Sequence, residues 1–127
     1  MIKLIDSGDL SFRELASANE KRVVQYRNGA GELVHGFLGV VTWSISDWTN
    51  ALAGEVGEAC NLSKKLMRGD FDSGEAHDAA VKKLGHELAD VVTYADLCAQ
   101  RLGLSLGDLV REKFNIVSDR VGSDEKL

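Results

Sequence analysis

The sequence predicts an all-α bundle of about four helices per chain. Three observations carry that expectation. The 127 residues contain no proline, the residue that most often breaks a helix. Apolar residues recur at three- and four-residue spacing over long stretches, the period of a helix with one buried face. Start and stop signals then divide those stretches into segments with short connections, as in a helical bundle.

The first helix runs from about Ser11 to Arg27. Ser11 and Glu14 form a capping box, in which each side chain satisfies the other residue's free backbone N–H. The turn cluster Asn28-Gly29-Ala30-Gly31 ends it. Glu32 to Ser46 is rich in Gly, Val and aromatic residues. It reads as a short strand or an ordered loop, so the structure of 28–45 stays open at this stage. A connection this long inside a small domain is often functional. The second helix starts near Ser46 or Asp47 and ends at Arg68, with Gly69 just past its end. Asp70 to Glu75 form a polar linker. The third helix covers about Glu75 to Leu102 and stops at Gly103. Ser105 with Asp108 resembles a weaker capping box and opens a fourth helix reaching about Arg120. Val121 to Leu127 read as a frayed tail.

Length and composition bound the function. The chain suits one domain, residues 1–127. A hydrophobic content of 44% supports a real core, and the net charge of −5 comes without any long Lys/Arg block. A nucleic-acid polymer is therefore not an expected partner. No apolar run approaches the roughly 18 residues that span a bilayer, so no membrane is expected either. The start, Met1 to Asp6, is too short and too acidic for a signal peptide. Cys60 and Cys98 have no metal-ligand spacing and read as small buried residues in a reducing compartment. These features point to a cytoplasmic protein. His35, His77 and His86 have no spacing that suggests ligation and read as structural or surface residues.

Two acidic pairs interrupt this pattern: Glu55-Val56-Gly57-Glu58 and Glu87-Leu88-Ala89-Asp90. Carboxylates three apart share one side of a helix. On the second helix Trp48, Leu52, Ala59, Leu62 and Leu66 form the apolar stripe. Glu55 falls inside it and Glu58 lies at its edge. On the third, Ala80, Leu84, Leu88, Val91, Ala95, Cys98 and Leu102 form the stripe, with Glu87 at its margin and Asp90 one step further round. Lys83 and Tyr94 share that margin. An ionised carboxylate on a buried face is costly unless paired or bound to metal. If the two helices pack antiparallel, the four carboxylates meet near mid-length and suit a hard cation such as Mg²⁺ or Mn²⁺.

These segments resemble the MazG-type all-α nucleotide pyrophosphohydrolases, the superfamily of small MazG-like enzymes and dCTP pyrophosphatases. The carrying residues are Trp48 to Asn61, Glu87 to Tyr94, and Lys113-Phe114-Asn115. The family pattern is a Glu-x-x-Glu helix, then a Glu-x-x-Asp helix, then a basic helix with Lys, often Asn, and Arg. The resemblance covers about Trp43 to Gly122, roughly two thirds of the chain. Lys113 and Arg120 keep the family spacing, but Val117 occupies the usual Asn position and Asn115 lies two residues earlier.

The resemblance implies hydrolysis of a nucleoside triphosphate to the monophosphate and pyrophosphate. Glu55, Glu58, Glu87 and Asp90 would hold Mg²⁺, with Glu55 or Glu58 accepting the proton of the attacking water. Lys113 and Arg120, with Asn115 and Lys64 or Lys65, would face the phosphates. Trp43 and Trp48, with Asn19 and Arg22 from the first helix, are candidates for base recognition. The resemblance also implies a homodimer or homotetramer. A di-iron carboxylate bundle is a second class, but it needs Glu-x-x-His pairs. Here Asp90 follows Glu87 and Asn61 follows Glu58. A non-enzymatic metal-binding bundle or partner-binding helical module is a third.

Overall fold

The computed structural model describes residues 8–72 and 74–127. Among them are four α-helices: α1 (Phe12–Val23), α2 (Ile45–Arg68), α3 (Glu75–Arg101) and α4 (Leu106–Val121). A 3₁₀ helix, Gly36–Thr42, lies between α1 and α2. The all-α class holds, and the segment expected as strand or loop adds this fifth, shorter helix. Its only β feature among the described residues is an isolated antiparallel bridge between Arg27 and Leu33.

Helix α1 opens with the expected capping box, Ser11 and Glu14 each bonding the other's backbone N–H. It ends four residues earlier than expected because the chain reverses after it. Asn28 N–H donates to the Glu32 carbonyl and Val34 N–H to the Tyr26 carbonyl, at 2.9 and 2.8 Å. Helix α2 begins one residue ahead of the expected start. Ser44 caps it and forms a second reciprocal box with Asp47. At the other end Gly69 adopts the left-handed conformation expected of a terminating glycine. The segment 121–127, expected to fray, is instead tied back onto α4. Leu127 N–H donates to Asn115 Oδ1 at 2.9 Å, and Lys126 pairs with Asp119.

Helices α2 and α3 form the central antiparallel hairpin, and α1 packs on α3. The core is small. Val23, Trp48, Leu97 and Cys98 are buried together, with Tyr26, Val40, Trp43, Ile45, Leu52 and Tyr94 packed around them. Trp48 has no exposed surface, and its indole N–H donates to the Val40 carbonyl at 2.8 Å. Gly39, at φ 58, lets the 3₁₀ segment fold against α1, where a Cβ would lie 3.3 Å from Val23. Gly107 lets α4 approach α1: a Cβ there would lie 2.8 Å from the Cβ of Phe12. Cys98 is buried as expected, and burial raises its thiol pKa. Cys60 is exposed, contrary to expectation, because it faces away from the α1 side of the hairpin into an uncovered groove.

The α1–α3 contact has a polar centre. Asp96, 1% exposed, accepts from the Asn19 and Gln100 side-chain amides, both at 2.8 Å on Oδ2. Asn19 also donates to the Thr93 carbonyl, and Gln100 to the Ala16 carbonyl. No described helix is long and apolar enough to cross a membrane.

Two substitutions test this packing in urea titrations. Trp48→Ala is expected to lower stability by about 3–5 kcal/mol, the usual range for emptying a large core site. Asp96→Ala leaves the buried Asn19 amide and the half-buried Gln100 amide each short of an acceptor and is expected to lose about 2–3 kcal/mol. A loss under about 0.5 kcal/mol, typical of neutral surface sites, would contradict the assigned role.

Candidate metal centre

The antiparallel α2–α3 pairing sets the site. Trp48 of α2 meets Tyr94 of α3, with ring centroids 6.4 Å apart. Further along α2, Glu55 lies near Asp90, and Glu58 shares a cavity with Glu87. One carboxylate oxygen from each of Glu55, Glu58 and Glu87 lies within 4.8 Å of the others. Glu55 is half-buried and Glu58 is exposed. Glu87 is 8% exposed as a residue and makes no hydrogen bond or ion pair among the described residues. Its carboxylate oxygens still reach the surface, since no buried side-chain oxygen there lacks a partner.

Like charges this close repel, an effect that solvent screens at the exposed Glu58. The pKa of Glu55 is raised, first by burial and then by the charges of Asp90, Glu58 and Glu87. The donor set fits a hard cation. Octahedral Mg²⁺ binds oxygens at about 2.0–2.1 Å, so opposite ligands stand about 4.2 Å apart. Only one pair among three ligands can be opposite, and adjacent ligands stand about 3 Å apart, so the side chains would have to turn inward from the 4.8 Å spacing to hold an ion. Asp90, on the exposed side, is the neighbour whose charge acts most strongly on Glu55.

Beyond Glu58 and Glu87 lies a cavity of 180 Å³ lined by Asn61, Leu62, Lys65 and Lys83 as well. It brings Lys65, an expected site residue, beside the carboxylates. Lys83 and Asn61 join it without having been assigned a role. Their signal was present in the sequence: Lys83 precedes Glu87 by four residues and Asn61 follows Glu58 by three, both same-face spacings.

On the other side of the carboxylates lies an aromatic cavity of 340 Å³. Tyr26, His35, Trp43, Trp48 and Tyr94 line it, with Arg27 and Val34. His35 stacks on Trp48 at 4.9 Å and meets Trp43 edge-on at 4.7 Å. Its Nδ1 lies 2.8 Å from the Thr42 hydroxyl, which donates its own hydrogen to the Gly39 carbonyl. That network assigns the hydrogen to Nδ1, and burial lowers the His35 pKa and favours the neutral ring. Burial, then the nearby Tyr26, Glu55 and Asp90, raise the Tyr94 pKa, while Arg22 opposes them. Tyr94 therefore joins the two cavities electrostatically.

Some expected site residues are used otherwise. Asn19 is buried and committed to Asp96 and Thr93, so it is not free to read a base. Trp48 is sealed behind His35 and Trp43 and offers no open face. Trp43 is half-buried at the cavity, held by Arg101 donating to its carbonyl at 2.7 Å. Arg22 is exposed, 5.9 Å from the centre of the Tyr26 ring. Asn115 bonds both backbone polar groups of Leu127, so its amide anchors the C-terminal segment. Lys113 and Arg120 are exposed on α4, with no side-chain hydrogen bond or ion pair among the described residues. Lys64 lines the apolar groove on the other side of the hairpin.

Searches against protein-family models, characterised proteins and solved structures return no match for this chain.

The raised Glu55 pKa has a stability consequence with a definite sign. The folded chain holds the Glu55 proton more tightly than the unfolded chain does. Its contribution to stability is therefore present at low pH and is lost as pH rises from the ordinary value of 4.5 through the raised one. In EDTA-treated protein, Glu55→Gln is expected to raise the melting temperature at pH 7.5 by about 3–6 °C, roughly 1 kcal/mol. The gain should shrink towards pH 4. Mg²⁺ should stabilise the wild type at pH 7.5 and the variant much less. Thermal scans at both pH values, with and without Mg²⁺, check this. A variant less stable than wild type at pH 7.5 would contradict it.

Proposed function

We propose that this chain is a Mg²⁺-dependent nucleotide pyrophosphohydrolase, cleaving a nucleoside triphosphate between its α and β phosphates. The observation that carries the reading is the meeting of Glu55, Glu58 and Glu87 carboxylate oxygens within 4.8 Å of one another on the facing turns of α2 and α3. An aromatic cavity on one side and lysines on the other support it. The resemblance of the two acidic pairs to MazG-type enzymes points the same way.

In this reading Glu55, Glu58, Glu87 and Asp90 hold the cation. Bound Mg²⁺ supplies neutralisation of phosphate oxygens and a lowered pKa for water in its shell. Glu55 or Glu58 accepts a proton as water oxygen bonds to the α-phosphorus. The bond from that phosphorus to the α–β bridging oxygen breaks, and pyrophosphate leaves with the electron pair. Trp43, at the aromatic cavity, offers the face for the base. Within one chain Lys65 and Lys83 are the cations that share a cavity with carboxylates of the cluster. The charge-balancing role of Lys113 and Arg120 rests on the resemblance alone.

The same reading includes self-association as a dimer or tetramer. An apolar groove of 610 Å³ runs between α2 and α3, lined by Val56, Ala59, Cys60, Leu84, Leu88 and Val91. A second copy would cover it. Light scattering at micromolar concentration is expected to give a mass of at least two chains, and a monomer would remove this part of the reading.

The reaction is tested with a panel of NTPs and dNTPs and Mg²⁺, following pyrophosphate and monophosphate. Release of both in equal amounts is expected, with EDTA abolishing it. Glu87→Gln and Asp90→Asn are each expected to lower kcat/KM by about a hundredfold or more, roughly 2.7 kcal/mol. Orthophosphate as the product, or full activity in either variant, would sink the assignment.

A further inference from the structure

The cavity beyond Glu58 and Glu87 places groups of both signs side by side. Two carboxylates and two ammonium groups line 180 Å³, together with the Asn61 amide. Among the described residues neither Lys65 nor Lys83 comes within 4.0 Å of a carboxylate as an ion pair. The carboxylate oxygens instead gather on one another, which leaves both ammonium groups available to an incoming anion. Here cation and anion receptors stand side by side and separate. A metal-chelated polyphosphate carries the complementary pattern, with the cation in the middle and free oxygens at the end.

Position along the helices adds direction. On α2 the order is Trp48, Glu55, Glu58, Asn61, Lys65, and on α3 it runs back as Tyr94, Asp90, Glu87, Lys83. At about 1.5 Å per residue, Glu55 and Lys65 are separated by about 15 Å of helix. Side chains on a helix lean towards its N-terminus, so the long Lys65 stem reaches back towards Glu58.

We propose that Lys83 and Lys65, with Asn61, form the receptor for the pyrophosphate end of the substrate. The nucleotide then lies along the α2–α3 surface with its base towards Trp43 and its terminal phosphates towards the C-terminal end of α2. This rests on the function proposed above, and it assigns Lys83 and Asn61 a role that the resemblance does not give them.

Titration calorimetry with Mg²⁺ alone, and with pyrophosphate in the presence and absence of Mg²⁺, tests it without turnover. Wild type is expected to bind Mg²⁺, and to bind pyrophosphate well only with Mg²⁺ present. Lys83→Ala and Lys65→Ala should each weaken Mg²⁺-pyrophosphate binding by roughly tenfold or more, the scale of a lost charge-assisted bond. Both should leave Mg²⁺ binding unchanged or tighter, because each removes a nearby positive charge. Lys83→Arg should retain most of the affinity, and binding of a nucleoside monophosphate should barely change in any of them. Lys83 is exposed, so its replacement leaves the core intact. A Lys83→Ala variant that binds Mg²⁺-pyrophosphate like wild type overturns the proposal, even if the chain is a pyrophosphohydrolase. A wild type that binds no Mg²⁺ overturns the underlying function and this proposal with it.

Discussion

The antiparallel pairing of α2 and α3 is the constraint on which the rest of the structure depends. It brings Glu55, Glu58 and Glu87 oxygens within 4.8 Å of one another, and among the described residues nothing neutralises them by direct contact. The α2–α3 pairing must therefore be held together elsewhere. Trp48 and Leu97, neither with any exposed surface, lie towards the α2 N-terminal and α3 C-terminal ends of the hairpin. Ala59, Leu62 and Ala80 continue the buried contact along it. The packed turns on both sides hold the helix positions of these residues, while the exposed Glu58 side chain remains able to turn towards or away from the others.

A second device fixes α1. That helix buries only Asn19 and Val23, too little apolar surface to set its position alone. The Asp96 carboxylate supplies the register instead. With both Asn19 amide hydrogens committed to Asp96 and Thr93, its oxygen turns towards Arg22, 3.4 Å away. Arg22 in turn lies over the Tyr26 ring and acts electrostatically on Tyr94. Burying polar groups with complete partners favours one arrangement over its neighbours, because a shifted helix would strand them. The aromatic cavity inherits its shape from this arrangement, since Tyr26 follows directly from the end of α1.

What was legible in the sequence follows from the range of each signal. Helix phase is local, so the faces of Glu55, Glu58 and Glu87 could be read from their spacing against Leu52, Ala59 and Leu84. Capping boxes are local too, and Ser11 with Glu14 behaves as read. The start of α2 shows the limit: Ser44 and Ser46 are both cap residues, and only the reciprocal bond with Asp47 decides between them. Asn19 was illegible because its partner is 77 residues away. A polar residue on a helix looks exposed until such a partner is known. His35 and the 3₁₀ helix were illegible for a different reason. That segment has no helical or strand period, and ring packing against Trp43 and Trp48 sets its structure. Asn115 sits on the expected helix, but its tie to Leu127 depends on how the chain turns at Gly122.

The apolar stripe expected on α3 divides in two, and the division bears on the site. Its C-terminal part, around Cys98, enters the core of the single chain. Its middle does not: Leu88 is 55% exposed and lines the groove with Leu84, Val91 and Val56. Leu88 lies between Glu87 and Asp90 in the chain, so the uncovered apolar surface and the carboxylates occupy the same helical turns. The groove and the carboxylates nevertheless open on different sides of the hairpin, with no lining residue in common between the groove and the cavity at Glu58 and Glu87. A second copy seated in the groove, as the proposed self-association requires, would bury apolar surface of these turns and hold the α2–α3 pairing from behind, leaving the carboxylate side open to solvent and substrate.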